Sequence, residues 1–127
     1  MPKQMISTPE APECVPGYSQ AVRAGNTVYV HGTVGIDVKT GKFAGPTIRE
    51  QTRQSLSNCQ AILRAAGAEL SDVVMVHTLR LRSEDAPIVG EVFTEFYPEA
   101  EPPRCVARIG VDRPNLLISI AMVAVID

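Results

Sequence analysis

A chain of 127 residues is long enough for one hydrophobic core and too short for two, so residues 1–127 are expected to form a single domain. With 45% apolar and 20% charged residues the composition is that of an ordinary soluble globular protein, and a net charge of −2 with no basic block argues against a nucleic-acid partner. No apolar run approaches the roughly 18 residues of a membrane span, and nothing near the N-terminus resembles a signal peptide, so a cytoplasmic protein with no membrane partner is expected.

Residues 1–16 carry Pro2, Pro9, Pro12 and Pro16 and read as an extended lead-in rather than a helix. Tyr18 to Ala24 reads as a short strand, Gly25-Asn26 as a tight turn, and Thr27 to Val34, rich in β-branched residues, as a second strand. Asp37 to Lys42 is another turn, with Phe43 opening a short edge strand. Thr47 and Glu50 have the spacing of a capping box, and Gly67 supplies a left-handed stop. Between them Ile48, Thr52, Leu56, Cys59, Ile62, Leu63 and Ala66 recur at helical spacing and define a core-facing stripe.

Val73 to Leu81 is the next strand, with Met75, His77, Leu79 and Leu81 on one face. A second helix runs from about Glu84 to Phe96, and Tyr97-Pro98 ends it. Cys105 to Val111 and Leu116 to Val125 complete the strands, and the last is apolar enough to be buried on both faces. The order β-β-(β)-α-β-α-β-β gives an α+β domain with two helices on one face of a mixed sheet. The other face then needs cover, and another subunit's sheet is the natural candidate, so a homo-oligomer is expected.

Three cysteines, Cys14, Cys59 and Cys105, are odd in number and widely spaced, and His31 and His77 are the only histidines. There is no Cys-x-x-Cys, His-x-x-x-His, phosphate-cradling glycine loop or Gly-x-Ser-x-Gly, so metal, nucleotide and serine-hydrolase chemistry are not expected. Arg104, behind Pro102-Pro103, stands where the chain turns into an apolar strand that is expected to be buried. An arginine there is costly unless an anion meets it, and its planar fork matches a carboxylate two bonds at a time. Pairing with Glu101 is the plainer alternative. Gly32, inside an apolar strand, is a bulge signal.

Four stretches taken together resemble the Rid (YjgF-type) family of enamine/imine deaminases. They are Gly17-Tyr18-Ser19-Gln20-Ala21-Val22 with Gly25-Asn26; Val30-His31-Gly32-Thr33-Val34-Gly35 with Thr40-Gly41; Gln51 through Asn58 on to Ala65-Ala66-Gly67-Ala68 and Leu70-Ser71-Asp72-Val73-Val74; and Pro102-Pro103-Arg104. The resemblance implies a chorismate-mutase-like fold, a homotrimer with sites between subunits, and hydrolysis of small 2-enamines or 2-imines of keto acids without a cofactor. It also implies that Arg104 holds the substrate carboxylate, that Tyr18 and Gly32 shape the pocket, and that the Val106 backbone faces the reacting nitrogen or water. Cys105 adjoins these as a substrate-lining residue; as a nucleophile it lacks a partner histidine in sequence.

Two positions depart from that pattern. Deaminating members carry a glutamate on the final strand, and counted without gaps from Arg104 that place is Ser119. A serine hydroxyl holds a water but cannot take its proton near neutral pH. Many relatives have a serine before the glycine, where this chain has His31, a side chain that titrates in the range of a useful base. Ser119 with His31 is therefore the expected substitute for the glutamate. A trimer that binds small carboxylates without turning them over is the alternative, and Ser119 is the residue that favours it.

Overall fold

A computed structural model of the chain describes residues 2–13 and 18–127. Cys14, Pro16 and Gly17, and with them the start of the first family-like stretch and the end of the expected lead-in, lie outside the described residues. The strands are β1 (Lys3–Ile6), β2 (Ala21–Ala24), β3 (Thr27–Val34), β4 (Ile36–Asp37), β5 (Lys42–Phe43), β6 (Val73–Arg80), β7 (Arg104–Arg108) and β8 (Ile118–Val125), and the helices are α1 (Ile48–Ala65) and α2 (Ala86–Phe96). Six strands form one sheet in the order β1-β2-β3-β8-β6-β7, and β4 pairs with β5 in a separate hairpin. Only β6 and β7, joined through α2, are parallel, so the sheet is mixed as expected.

Local chemistry sets the helix ends. Thr47 accepts from the Glu50 backbone N–H, and the Glu50 carboxylate accepts from the Thr47 N–H, closing the capping box. At the other end Gly67 takes φ 85°, and Arg23 donates from Nη1 to the Ala66 carbonyl at 2.8 Å. The stripe from Ile48 to Ala66 is buried throughout. On the exposed side Arg49 and Arg53 reach α2 through ion pairs of 2.8 Å to Glu91 and Glu95. Such exposed pairs orient the helices and add little stability.

The lead-in differs from its expected form. Residues 3–6 are a true strand whose register sets Met5 opposite Val22. The first expected strand begins later, at Ala21, and the strand expected over Cys105 to Val111 starts one residue earlier, at Arg104, and stops at Arg108. β7 also corrects the premise that Arg104 opens a buried strand: all five of its residues are exposed at the sheet edge. β8 is fully buried on its helix side, through Ile118, Ile120, Met122 and Ala124, and only half-buried on the other. The register there aligns Met5, Val22, Tyr29, Val123 and Met75 in one cross-strand row. Tyr29 is 53% exposed and Met5 65% exposed. Within one chain, nothing among the described residues covers that face.

Candidate functional site

The site grows from a fault in the β3–β8 ladder. Val30 pairs with Met122 and Thr33 with Ile120, so His31 and Gly32 together oppose the single residue Ala121. Two residues against one is a β-bulge, which bends the strand and re-aims side chains. His31, Gly32, Thr33 and Val34 consequently line a cavity of about 430 Å³ with Tyr18, Ile36, Pro12, Glu13 and Arg113. A Cβ built on Gly32 would lie 2.9 Å from the Ser119 hydroxyl, so Ser119 stands directly beside the glycine.

Polar residues hold this bulge from behind. Along α1, Gln51, Ser55 and Asn58 are buried at i, i+4, i+7 spacing. Ser55 donates to the Thr33 carbonyl at 2.7 Å, and Asn58 donates to the Val34 and Ile36 carbonyls at 3.0 and 2.9 Å. Gln51 donates to the Gly45 and Asn115 carbonyls and accepts from the Leu117 N–H, which fixes the turn that carries Arg113. Gln20 performs the same service for the N-terminal segment. Its amide accepts from Thr8 N–H and donates to the Thr8, Ala11 and Pro12 carbonyls, bringing Pro12 to the cavity wall.

His31 is half-buried, and desolvation holds its pKa below the ordinary 6.5 against an opposing hydrogen bond to its own backbone. The imidazole is therefore neutral at pH 7 and able to accept a proton. Its Nδ1 lies 3.5 Å from Thr33 Oγ1, whose hydroxyl donates to the His31 carbonyl at 2.8 Å. Tyr18 is 69% exposed on the cavity rim. Arg113, which sequence reasoning missed, stacks its guanidinium 5.3 Å from the Phe43 ring centre. Nothing in Asp112-Arg113-Pro114 marks it locally; only the Gln51 anchor brings that turn to the bulge.

Arg104 lies elsewhere. β8 and β6 separate its strand from β3, which at the usual strand spacing is roughly 14 Å across the sheet. Its Nη1 donates to Glu101 at 2.8 Å, and its guanidinium sits 4.2 Å from the Phe93 ring centre. The pairing with Glu101 is thus real, and it also aims the side chain. Among the described residues the Nε–Nη2 edge carries no hydrogen bond. Val106 follows on the same side of β7. The candidate residues therefore form two groups within one chain: Tyr18, His31, Gly32 and Ser119 around the bulge, and Arg104, Cys105 and Val106 on the sheet edge.

Cys105 projects to the opposite face, paired in register with His77, and no hydrogen bond among the described residues joins the two. The histidine that sequence alone could not supply is thus a strand neighbour. Cys59 is fully buried, its thiol pushed up to about 12 by desolvation, and is chemically quiet. Among the described residues no group of three or more His, Cys, Asp or Glu side chains is placed to hold a metal, and no helix is long and apolar enough to cross a membrane.

Comparison with known proteins bears on the family and the fold. A family model described as endoribonuclease L-PSP matches residues 8–126. A 2-iminobutanoate/2-iminopropanoate deaminase from Dermatophagoides farinae is 36% identical over 99% of this chain and 98% of its own. Among solved structures, RidA from a Psychrobacter species superposes with a TM-score of 0.90 at 33% identity, covering 97% of this chain and 99% of that one. TdcF from E. coli, solved with bound serine, superposes with a TM-score of 0.90 at 25% identity, covering 98% of this chain and 99% of that one. The chain belongs to the Rid family, the same family that carries the endoribonuclease L-PSP description.

Proposed function

We propose that the protein hydrolyses small 2-imines and 2-enamines of keto acids, such as 2-aminoacrylate and its imine 2-iminopropanoate, at sites shared between copies of the chain in a homotrimer. The observation that carries this is the aimed Arg104 fork, whose Nε–Nη2 edge bonds to none of the described residues, lying across the sheet from a cavity that holds a neutral histidine. In this reading Arg104 of one copy takes the carboxylate, and the bulge cavity of a neighbour receives the reacting carbon. The deaminase named above and the relative solved with serine, itself a small carboxylate, point the same way.

The chemistry asks little of the protein. An enamine first takes a proton on its terminal carbon and gives one up from its nitrogen, becoming the imine. Water adds to the imine carbon as its lost proton passes to a base, and the nitrogen gains a proton. The new hydroxyl's proton then passes to the nitrogen as the C–N bond breaks, releasing ammonia and the keto acid. Protonated imines are electrophilic, so holding the carboxylate and a water in register supplies most of the acceleration. The Ser119 hydroxyl orients the water, the Val106 carbonyl orients water or nitrogen, and His31 accepts the proton.

The test is to generate 2-aminoacrylate in situ with a dehydratase and follow keto-acid appearance. Wild type accelerates it over buffer, and Arg104→Ala falls by at least roughly tenfold, the loss of one charge-assisted bidentate contact. An Arg104→Ala rate equal to wild type would end the catalytic reading. Ser119 favours one rival, a trimer that binds carboxylates without turnover. Calorimetric titration with 2-oxobutanoate separates them: saturable heat that Arg104→Ala abolishes, with a flat activity assay, decides for binding.

A further inference from the structure

Three arginines meet at the far end of the β6–β7 edge. Arg80 and Arg108 are direct partners in the parallel register, so their side chains leave the sheet on the same side. Arg82 follows just beyond β6. Together with Ser83, Val106 and Ala107 they line a hollow of about 210 Å³ that contains no acidic side chain. The ion pairs among the described residues use Arg49, Arg53, Arg64 and Arg104, and none uses Arg80, Arg82 or Arg108. Arg80 is nevertheless held in place: its Nη1 donates to the Ser83 carbonyl at 2.8 Å.

Like charges set opposite each other on neighbouring strands are destabilising. A chain of net charge −2, with more acids than bases, has carboxylates available and puts none of them here. We infer that this hollow is a binding site for the phosphate group of a small metabolite. A phosphate monoester brings nearly two negative charges and three acceptor oxygens, which suits three guanidinium forks converging from two strands and a turn. A single carboxylate would leave most of the positive charge uncompensated. The hollow shares Val106 with the proposed reaction site, but its arginines are distinct from the carboxylate clamp, because four residues of extended strand put Arg108 roughly 13 Å from Arg104.

The experiment is a thermal-shift and calorimetric titration of the whole protein with inorganic phosphate and pyrophosphate, against chloride at matched ionic strength. Wild type should show a saturable rise in Tm that chloride does not give. Arg108→Gln and Arg82→Gln change exposed side chains. Each should weaken phosphate binding roughly tenfold while unfolding no earlier than wild type in phosphate-free buffer, since each removes a repulsion. Arg104→Ala should keep the full phosphate response, which separates this inference from the deaminase reading. No saturable response in wild type overturns the inference. So does an unchanged response in Arg108→Gln, or a response that Arg104→Ala abolishes. Binding only of a single-stranded oligonucleotide, with a steep salt slope, would overturn it in favour of a nucleic-acid surface.

Discussion

His31 shows how one residue's surroundings decide what it offers. The bulge turns it into the cavity, and partial burial disfavours its charged form. Its folded pKa is lowered, so between that value and the ordinary 6.5 the unfolded chain binds more protons than the folded one. Stability contributed by this group is therefore complete above 6.5 and is lost as pH falls through the window below it. Urea titrations from pH 7.5 down to 5 should show wild type losing stability faster than His31→Gln over that interval. Parallel curves would mean that the imidazole is not desolvated. In an activity profile the same protonation should remove the proton acceptor, so the rate should fall on the acid side in wild type. Beside it, Arg104 is a residue whose plainer explanation is compatible with the proposed one: Glu101 and Phe93 satisfy part of the guanidinium and thereby orient the rest.

At the scale of elements, what could be read from sequence was whatever is decided locally. The capping box, the Gly67 stop and the stripe of α1 are set within a few residues, and β3 is announced by its β-branched run and the preceding turn. β1 was missed because Lys3-Gln4-Met5-Ile6 has no pattern of its own and becomes a strand only by pairing with β2. The Gly32 bulge was signalled by a glycine in a strand, but its consequence, the placing of His31 and Arg113 around one cavity, depends on long-range bonds from Gln51, Ser55 and Asn58. Gly35 tests how closely α1 sits on this bulge. A Cβ there would run into the Gln51 carbonyl oxygen and lie 2.8 Å from the Gln51 Cα, and backbone cannot swing aside as a side chain can. Gly35→Ala should therefore cost about 1–3 kcal/mol or more, measured as a lower urea midpoint. A change within about 0.5 kcal/mol, the usual surface value, would show that the helix yields and that its polar stripe is a looser clamp than described.

For the whole molecule, the two groups of candidate residues and the uncovered apolar row are one problem. A single chain leaves Met5 and Tyr29 in water and keeps the strand of Arg104 two strands removed from the bulged β3. A run such as Cys105-Val106-Ala107 read as buried because it is apolar, yet it is exposed in the lone chain; a second copy is what would make that reading true. Complementation between two dead variants tests this directly. Arg104→Ala lacks the clamp but keeps the cavity. Gly32→Val keeps the clamp and fills the space beside Ser119, with circular dichroism confirming that each variant folds. Each alone should be inactive. Co-refolded at equal amounts, they place an intact clamp against an intact cavity at one-half times one-half of the interfaces, so about a quarter of the wild-type rate should return. If clamp and cavity served the same site within one chain, every site in the mixture would carry one defect and nothing would return. Recovery near a quarter, together with a trimer mass in light scattering, is the outcome that a shared site requires.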